Sequence, residues 1–101
     1  MLDALIDRLE SVGVTGMNII EVKGYGAQKG HTETYRGVTY HIRLREKIRI
    51  ETVVSDDITE EVIDTIVDTA KTGKVGDGKI FITNIEDAVR IRTNERGEDI
   101  V

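Results

Sequence analysis

The chain has 101 residues, 33% of them charged and 4% aromatic, with a formal net charge of −5 and neither cysteine nor proline. That length suits one domain whose core rests on Ile, Val and Leu. The acidic balance argues against a general nucleic-acid binder, and the missing cysteines exclude disulfides and thiolate metal sites. No apolar run approaches the length of a membrane span and no signal peptide is visible, so no direct membrane insertion is expected and the expected setting is cytoplasmic.

Leu2, Leu5, Ile6, Leu9 and Val12 recur at helical spacing until Gly13 interrupts them. Residues 17–22 form a short β-branched run that reads as a strand. From Lys23 to about Tyr40 the chain is polar and glycine-rich, a loop longer than the roughly 12–15 residues that a structureless connection usually reaches. Residues 41–54 then alternate. Ile42, Leu44, Ile48, Ile50 and Val54 fall on one face, interrupted by Glu46 and Thr52; Arg43, Arg45, Lys47, Arg49 and Glu51 fall on the other. Such a basic row is more often a solvated sheet face than a ligand site. The run Asp57-Ile58-Thr59-Glu60 fits a capping box, and Ile58, Val62, Ile63, Ile66, Val67 and Ala70 supply the stripe of a second helix. Residues 80–83 read as a strand, 88–93 as another extended segment, and 94–99 as a polar, mobile tail. Two helices on one face of an antiparallel sheet make an α+β fold. His31 and His41 lack partners at ligand spacing, so no zinc site is expected.

The residues with most chemistry are Thr72-Gly73-Lys74-Val75-Gly76-Asp77-Gly78-Lys79-Ile80-Phe81. Glycines let successive backbone amides turn toward one anion, and lysines add charge where phosphate oxygens would lie. Gly73 also suits a helix C-cap, the commoner use of a glycine after a helix. Downstream, Val89-Arg90-Ile91-Arg92-Thr93 alternates, which as a strand directs both arginines to one side. A glycine loop with paired arginines reads as a polyphosphate site.

Four motifs in order resemble the PII nitrogen-regulatory signal transduction family. They are Gly24-Tyr25-Gly26-Ala27-Gln28-Lys29-Gly30-His31-Thr32-Glu33, Tyr35-Arg36-Gly37-Val38-Thr39-Tyr40, the 72–82 loop, and Arg90-Ile91-Arg92-Thr93. The resemblance runs from Leu2 to the C-terminus. It implies a ferredoxin-like split βαβ sandwich (βαββαβ) assembled as a homotrimer, with ATP or ADP in each cleft between subunits. It also implies a T-loop, about residues 26–44, that contacts target proteins. On this resemblance residues 1–101 form a single domain, with a phosphate loop at 72–79 and a C-terminal tail at 94–101. The family has one more strand before the position of Leu2, so the chain is expected to lack its first strand. An upstream start, a trimmed chain or another segment in the gap would account for that. An altered trimer or poor solubility is expected if the chain begins at Met1.

The resemblance further implies roles for single residues. Gly76, Asp77, Gly78 and Lys79 correspond to the loop cradling the phosphates, and Arg90 and Arg92 to the pair that reaches them from a neighbouring subunit. Glu51, Val53 and Thr72 match positions near ribose and adenine, while Gly24, Tyr25 and Gly26 let the backbone approach the nucleotide. Gln28 corresponds to the side chain that joins Mg²⁺ held by ATP and 2-oxoglutarate. Lys47 matches the lysine that pairs with the distal carboxylate of 2-oxoglutarate, around which Gly26, Ala27, Gln28, Lys29 and Gly30 would wrap. Tyr40 aligns with a tyrosine that some members carry in nucleotidylated form; a strand-opening tyrosine is the plainer reading. Val38 falls where some relatives are phosphorylated, which excludes that modification. Ala27 replaces an arginine that commonly approaches the terminal phosphate, so a reduced preference for ATP over ADP is expected.

The implied function is non-enzymatic: nitrogen-status signalling through nucleotide and 2-oxoglutarate to targets such as an ammonium transporter or glutamine synthetase. A slow ATPase and a nucleotide-free interaction module are the alternatives; neither a nucleophile–base pair nor a two-metal carboxylate cluster is visible.

Overall fold

The computed structural model describes residues 1–25, 32–35, 38–41 and 44–101, the two short middle stretches by backbone. They fall into two compact units, Met1–Met17 with Thr52–Val101, and Asn18–Glu51.

In the first unit, helix α1 (Leu2–Ser11) packs against helix α2 (Thr59–Ala70). Leu5 and Leu9 on α1, Val14 just beyond it, and Val62 and Thr65 on α2 are the buried side chains. Thr65 meets its polar obligation locally, its hydroxyl donating to the Glu61 carbonyl at 2.8 Å. At the rim of the helix pair, Arg8 donates to Thr69 Oγ1 at 2.6 Å and to Asp68 Oδ2 at 2.8 Å. Gly13 ends α1 as its sequence position suggests. With φ at +108°, its amide donates to the Glu10 carbonyl and the Val14 amide to that of Leu9. These two bonds form a Schellman ending, and Val14 and Leu9 are its buried apolar pair.

The second helix starts otherwise than the capping-box pattern predicts. The chain enters through a 3₁₀ turn, Asp56–Ile58, so Ile58 rather than Asp57 holds the capping position, with no side-chain cap bond. The Glu98 carboxylate serves the exposed groups instead, accepting from the Ser55 hydroxyl at 2.7 Å and the Asp56 amide at 3.2 Å. The segment expected to be a mobile tail is therefore tied to the start of α2. On α2 itself, Val67 lies 45% exposed at the edge of the stripe.

In the second unit, β1 (Asn18–Tyr25) runs antiparallel to β4 (Leu44–Glu51), from Asn18 opposite Glu51 to Tyr25 opposite Leu44. Ile20 and Val22 sit across from Arg49 and Lys47, so the aliphatic stems of the basic row share a face with apolar β1 residues. Of the alternating stretch 41–54, residues 44–51 form β4, while His41 ends another strand, β3 (Val38–His41). Within the expected long loop, β2 (Thr32–Tyr35) pairs antiparallel with β3, and β1 itself continues through Lys23, Gly24 and Tyr25. The loop thus carries a hairpin.

Two strand expectations fail. Residues 80–83 belong to no strand and have no partner strand among the described residues, so their backbone groups have no ladder to join. Residues 91–93 form a turn rather than a strand, because Asn94 at φ +63° and Gly97 at +89° fold the chain back. The Asn94 amide donates to the Arg90 carbonyl at 2.8 Å, Val89 bridges to Arg96, and the Gly97 amide donates to the Ala88 carbonyl at 3.0 Å.

Candidate nucleotide-phosphate loop

The loop after α2 is built by glycine and one carboxylate. Helix α2 leaves through Lys71 in an extended conformation, so Gly73 is not the C-cap expected of it. Its positive φ of 82°, with 104° at Gly76 and 107° at Gly78, turns the chain at three points that L side chains rarely allow. Asp77 closes the loop. Its Oδ2 accepts from the Thr72 amide at 2.8 Å and the Gly73 amide at 2.9 Å, while Oδ1 takes the Thr72 hydroxyl. The Thr72 oxygen in turn accepts from the Lys74 amide at 3.2 Å. Donation by the Thr72 hydroxyl, followed by the two amides, holds the Asp77 carboxyl below its ordinary range.

Beyond that closure, the amides of Gly76, Gly78 and Lys79 donate to no group among the described residues. A Cβ placed on Gly78 would meet nothing within 4 Å, so the backbone there is open to approach. Lys74 and Lys79 are exposed. Open amides, glycine turns and flexible cations form a donor set that fits an anion with several oxygens.

The arginine pair is arranged differently from expectation. Since 91–93 turn, the period-two argument that aimed Arg90 and Arg92 to one side does not apply to this backbone. Arg90 faces Glu95 across the turn at 3.0 Å, an exposed pair of small energetic weight and easily exchanged for another anion. Arg92 is exposed in the turn, with no ion pair among the described residues.

Other predicted positions group separately. On the β1–β4 ribbon, the outer part of the Lys47 side chain lies over Gly24. A Cβ there would come within 2.9 Å of Lys47 Cδ and 3.3 Å of Nζ. Tyr25 is 67% exposed at the ribbon's end opposite Leu44. Glu51 ends β4 with Arg49 Nε 3.6 Å away, and Val53 is exposed just beyond it. Gly26, Ala27, Gln28, Lys29 and Gly30 lie outside the described residues, and of Tyr40 only the backbone is described, paired with Glu33 in the hairpin. A separate open hollow of about 450 Å³, lined by Ile6, Glu10, Val14, Thr15, Gly16 and Met17, contains none of the predicted positions.

Sequence reasoning placed Asp77 in the loop but missed that its carboxylate closes it. It also missed the Glu95 partner of Arg90 and the Glu98 tie to Ser55. These are contacts between exposed polar residues, which leave no periodic signal. The hairpin did leave one: threonines and tyrosines, which favour strands, lie on both sides of Arg36-Gly37.

Residues 1–95 match the family described as Nitrogen regulatory protein P-II. The chain is 52% identical over 97 residues to Nitrogen regulatory protein P-II of Klebsiella oxytoca, covering 96% of this chain and 87% of the relative. It is 48% identical over 100 residues to the protein of the same name from Haemophilus influenzae, covering 99% and 89%. Among solved structures it is similar to B. subtilis GlnK, with a TM-score of 0.80 at 39% identity, covering 99% of this chain and 88% of the other. The shared backbone bears out the α+β, ferredoxin-like fold read from the sequence, and the relatives carry regulatory names. The described residues contain no helix long and apolar enough to cross a membrane. The chain belongs to the P-II family of nitrogen regulatory proteins.

Proposed function

We propose that this P-II protein senses adenine nucleotide together with 2-oxoglutarate and passes the result to target proteins through residues 26–44. The observation that carries the reading is the 72–79 loop, where three positive-φ glycines and an internal carboxylate leave the Gly76, Gly78 and Lys79 amides unengaged among the described residues. ATP or ADP would be held there by those amides and Lys79, with Arg90 and Arg92 supplied from a neighbouring copy and exchanging Glu95 for phosphate. Glu51, Val53 and Thr72 would flank the ribose and adenine. Gln28 would hold Mg²⁺ through its amide oxygen, and the ion would supply charge neutralisation for the bound anions. Lys47, exposed along Gly24, is a cation suited to the far carboxylate of 2-oxoglutarate, and residues 26–30 would enclose that metabolite.

Because the enclosing residues belong to the same segment as the β2–β3 hairpin, bound metabolite would favour one population of that segment over another. Target choice would follow from that population, with an ammonium transporter or glutamine synthetase as the class of partner. A homotrimer fits the long exposed apolar segment at 80–91, which a second copy of the chain would cover: Phe81 is 86% exposed and Ile91 97%. With alanine at position 27 in place of an arginine, the preference for ATP over ADP should be reduced, while Lys79, Arg90 and Arg92 remain to sense the terminal phosphate.

The test is calorimetric titration of ATP with Mg²⁺, with and without 2-oxoglutarate. Saturable binding that tightens with the oxoacid is expected. No heat at millimolar ATP under either condition would overturn the reading.

A further inference from the structure

An acid in the middle of a loop that receives polyphosphate is an electrostatic oddity. A carboxylate facing the ligand would repel it, and removing that charge should improve binding. The geometry resolves this. Both oxygens of Asp77 are turned back on the loop: Oδ2 takes two backbone amides, at 2.8 and 2.9 Å, and Oδ1 takes the Thr72 hydroxyl. The carboxylate charge is therefore stabilised by three hydrogen bonds from within its own loop. Both oxygens are engaged within the loop.

Resting on the nucleotide reading above, we infer that Asp77 is a positioning residue, whose carboxylate joins residue 77 to Thr72 and Gly73 and thereby holds the following amides and Lys79 in the shape that meets phosphate. The need for such a clasp follows from the sequence. Gly73, Gly76 and Gly78 give the loop its turns but also the largest conformational entropy to lose. No apolar contact replaces what they lack, because residues 71–87 are exposed throughout. One carboxylate bonded to the first two residues after Lys71 fixes the start of the loop relative to its far side. Lys74 is drawn in by the same network, its amide donating to Thr72 Oγ1 at 3.2 Å.

The proposal predicts the opposite of simple electrostatics. Asp77→Ala removes a negative charge yet should weaken Mg-ATP binding by roughly tenfold or more, the scale of losing charge-assisted bonds that pre-organise a site. Asp77→Asn keeps one acceptor oxygen and should fall between. Thr72→Val, which deletes the hydroxyl donor and keeps the amide, should lose less than Asp77→Ala and provides the same readout should that variant fold poorly. Because the loop is exposed, thermal midpoints should stay within about 2 °C of the parent, which a role in fold stability alone would not produce. Without any ligand, the Gly73 amide proton should shift upfield in Asp77→Ala as its acceptor is lost.

Calorimetry with Mg-ATP and an amide spectrum of each variant test the inference together. Weaker binding in the order parent, Asn, Ala, with the Gly73 shift, supports it. Equal or tighter ATP binding by Asp77→Ala alongside a parent that binds overturns it, and so does an unmoved Gly73 amide. A parent that binds no ATP overturns instead the nucleotide reading, while the ligand-free Gly73 signal still decides whether the clasp exists.

Discussion

Gly24 and Lys47 show how a single hydrogen in place of a side chain can set the direction of a charge. Lys47 Cδ, Cε and Nζ would lie 2.9, 3.1 and 3.3 Å from a Cβ at position 24, so any larger residue must push the lysine aside. The moving group is the flexible end of a side chain, which makes the displacement cheap for the fold. Gly24→Ala should therefore leave stability within about 0.5 kcal/mol, while weakening 2-oxoglutarate binding several-fold in calorimetry with Mg-ATP present. An unchanged oxoacid affinity would separate Lys47 from that ligand. Glu98 ties the C-terminal segment to the start of α2 through a carboxylate whose charge matters. The Ser55 hydroxyl, then the Asp56 amide, hold its carboxyl below its ordinary value of 4.5. A lowered folded pKa means the contribution is fully present above that ordinary value and disappears as pH falls through the lowered one. Thermal melts between about pH 3 and pH 6 should accordingly show a shallower acid decline in Glu98→Gln than in the parent.

The elements divide by the kind of signal that produced them. Helix α1 is legible from its apolar spacing and from Gly13, whose φ of +108° completes the Schellman ending. Gly13→Ala should cost about 1–2 kcal/mol, the strain of a left-handed residue carrying a Cβ, read from urea midpoints at constant slope. Helix α2 is equally visible in its stripe, but its start is not, since Ser55 and Asp56 find their acceptor in Glu98, more than 40 residues away. No local pattern announces such a partner. The alternation over 89–93 predicts a strand and yields a turn because the residues that decide the matter, Asn94 and Gly97, come after it. In the candidate site, glycine turns at 73, 76 and 78 were legible in the sequence, but the Asp77 bonds to Thr72 and Gly73 depend on three-dimensional closure that composition does not encode. Position 80–83 shows the remaining gap. Its apolar β-branched character expresses a preference for a partner, and pairing rather than preference makes a strand.

For the whole molecule, core and surface make separate demands. The buried set among the described residues is small, and Leu9 has no exposed surface, so Leu9→Ala should cost roughly 2–5 kcal/mol in chemical unfolding. The exposed set is large along 80–91, and a second copy covering it would remove most of that apolar area from water. Phe81→Ser together with Ile91→Ser should shift sedimentation toward the monomer. Oligomerisation and ligand binding are linked in this account through Arg90 and Arg92, which would reach phosphate on an adjoining copy. Whether backbone amides of the glycine loop receive nucleotide phosphate can be read from amide spectra recorded during addition of Mg-ATP. Phosphate binding there should move the Gly76, Gly78 and Lys79 amides by the largest amounts, saturating together, while Gly13 and Gly16 stay in place. Saturating ATP that leaves those three amides unmoved would contradict phosphate binding at the loop.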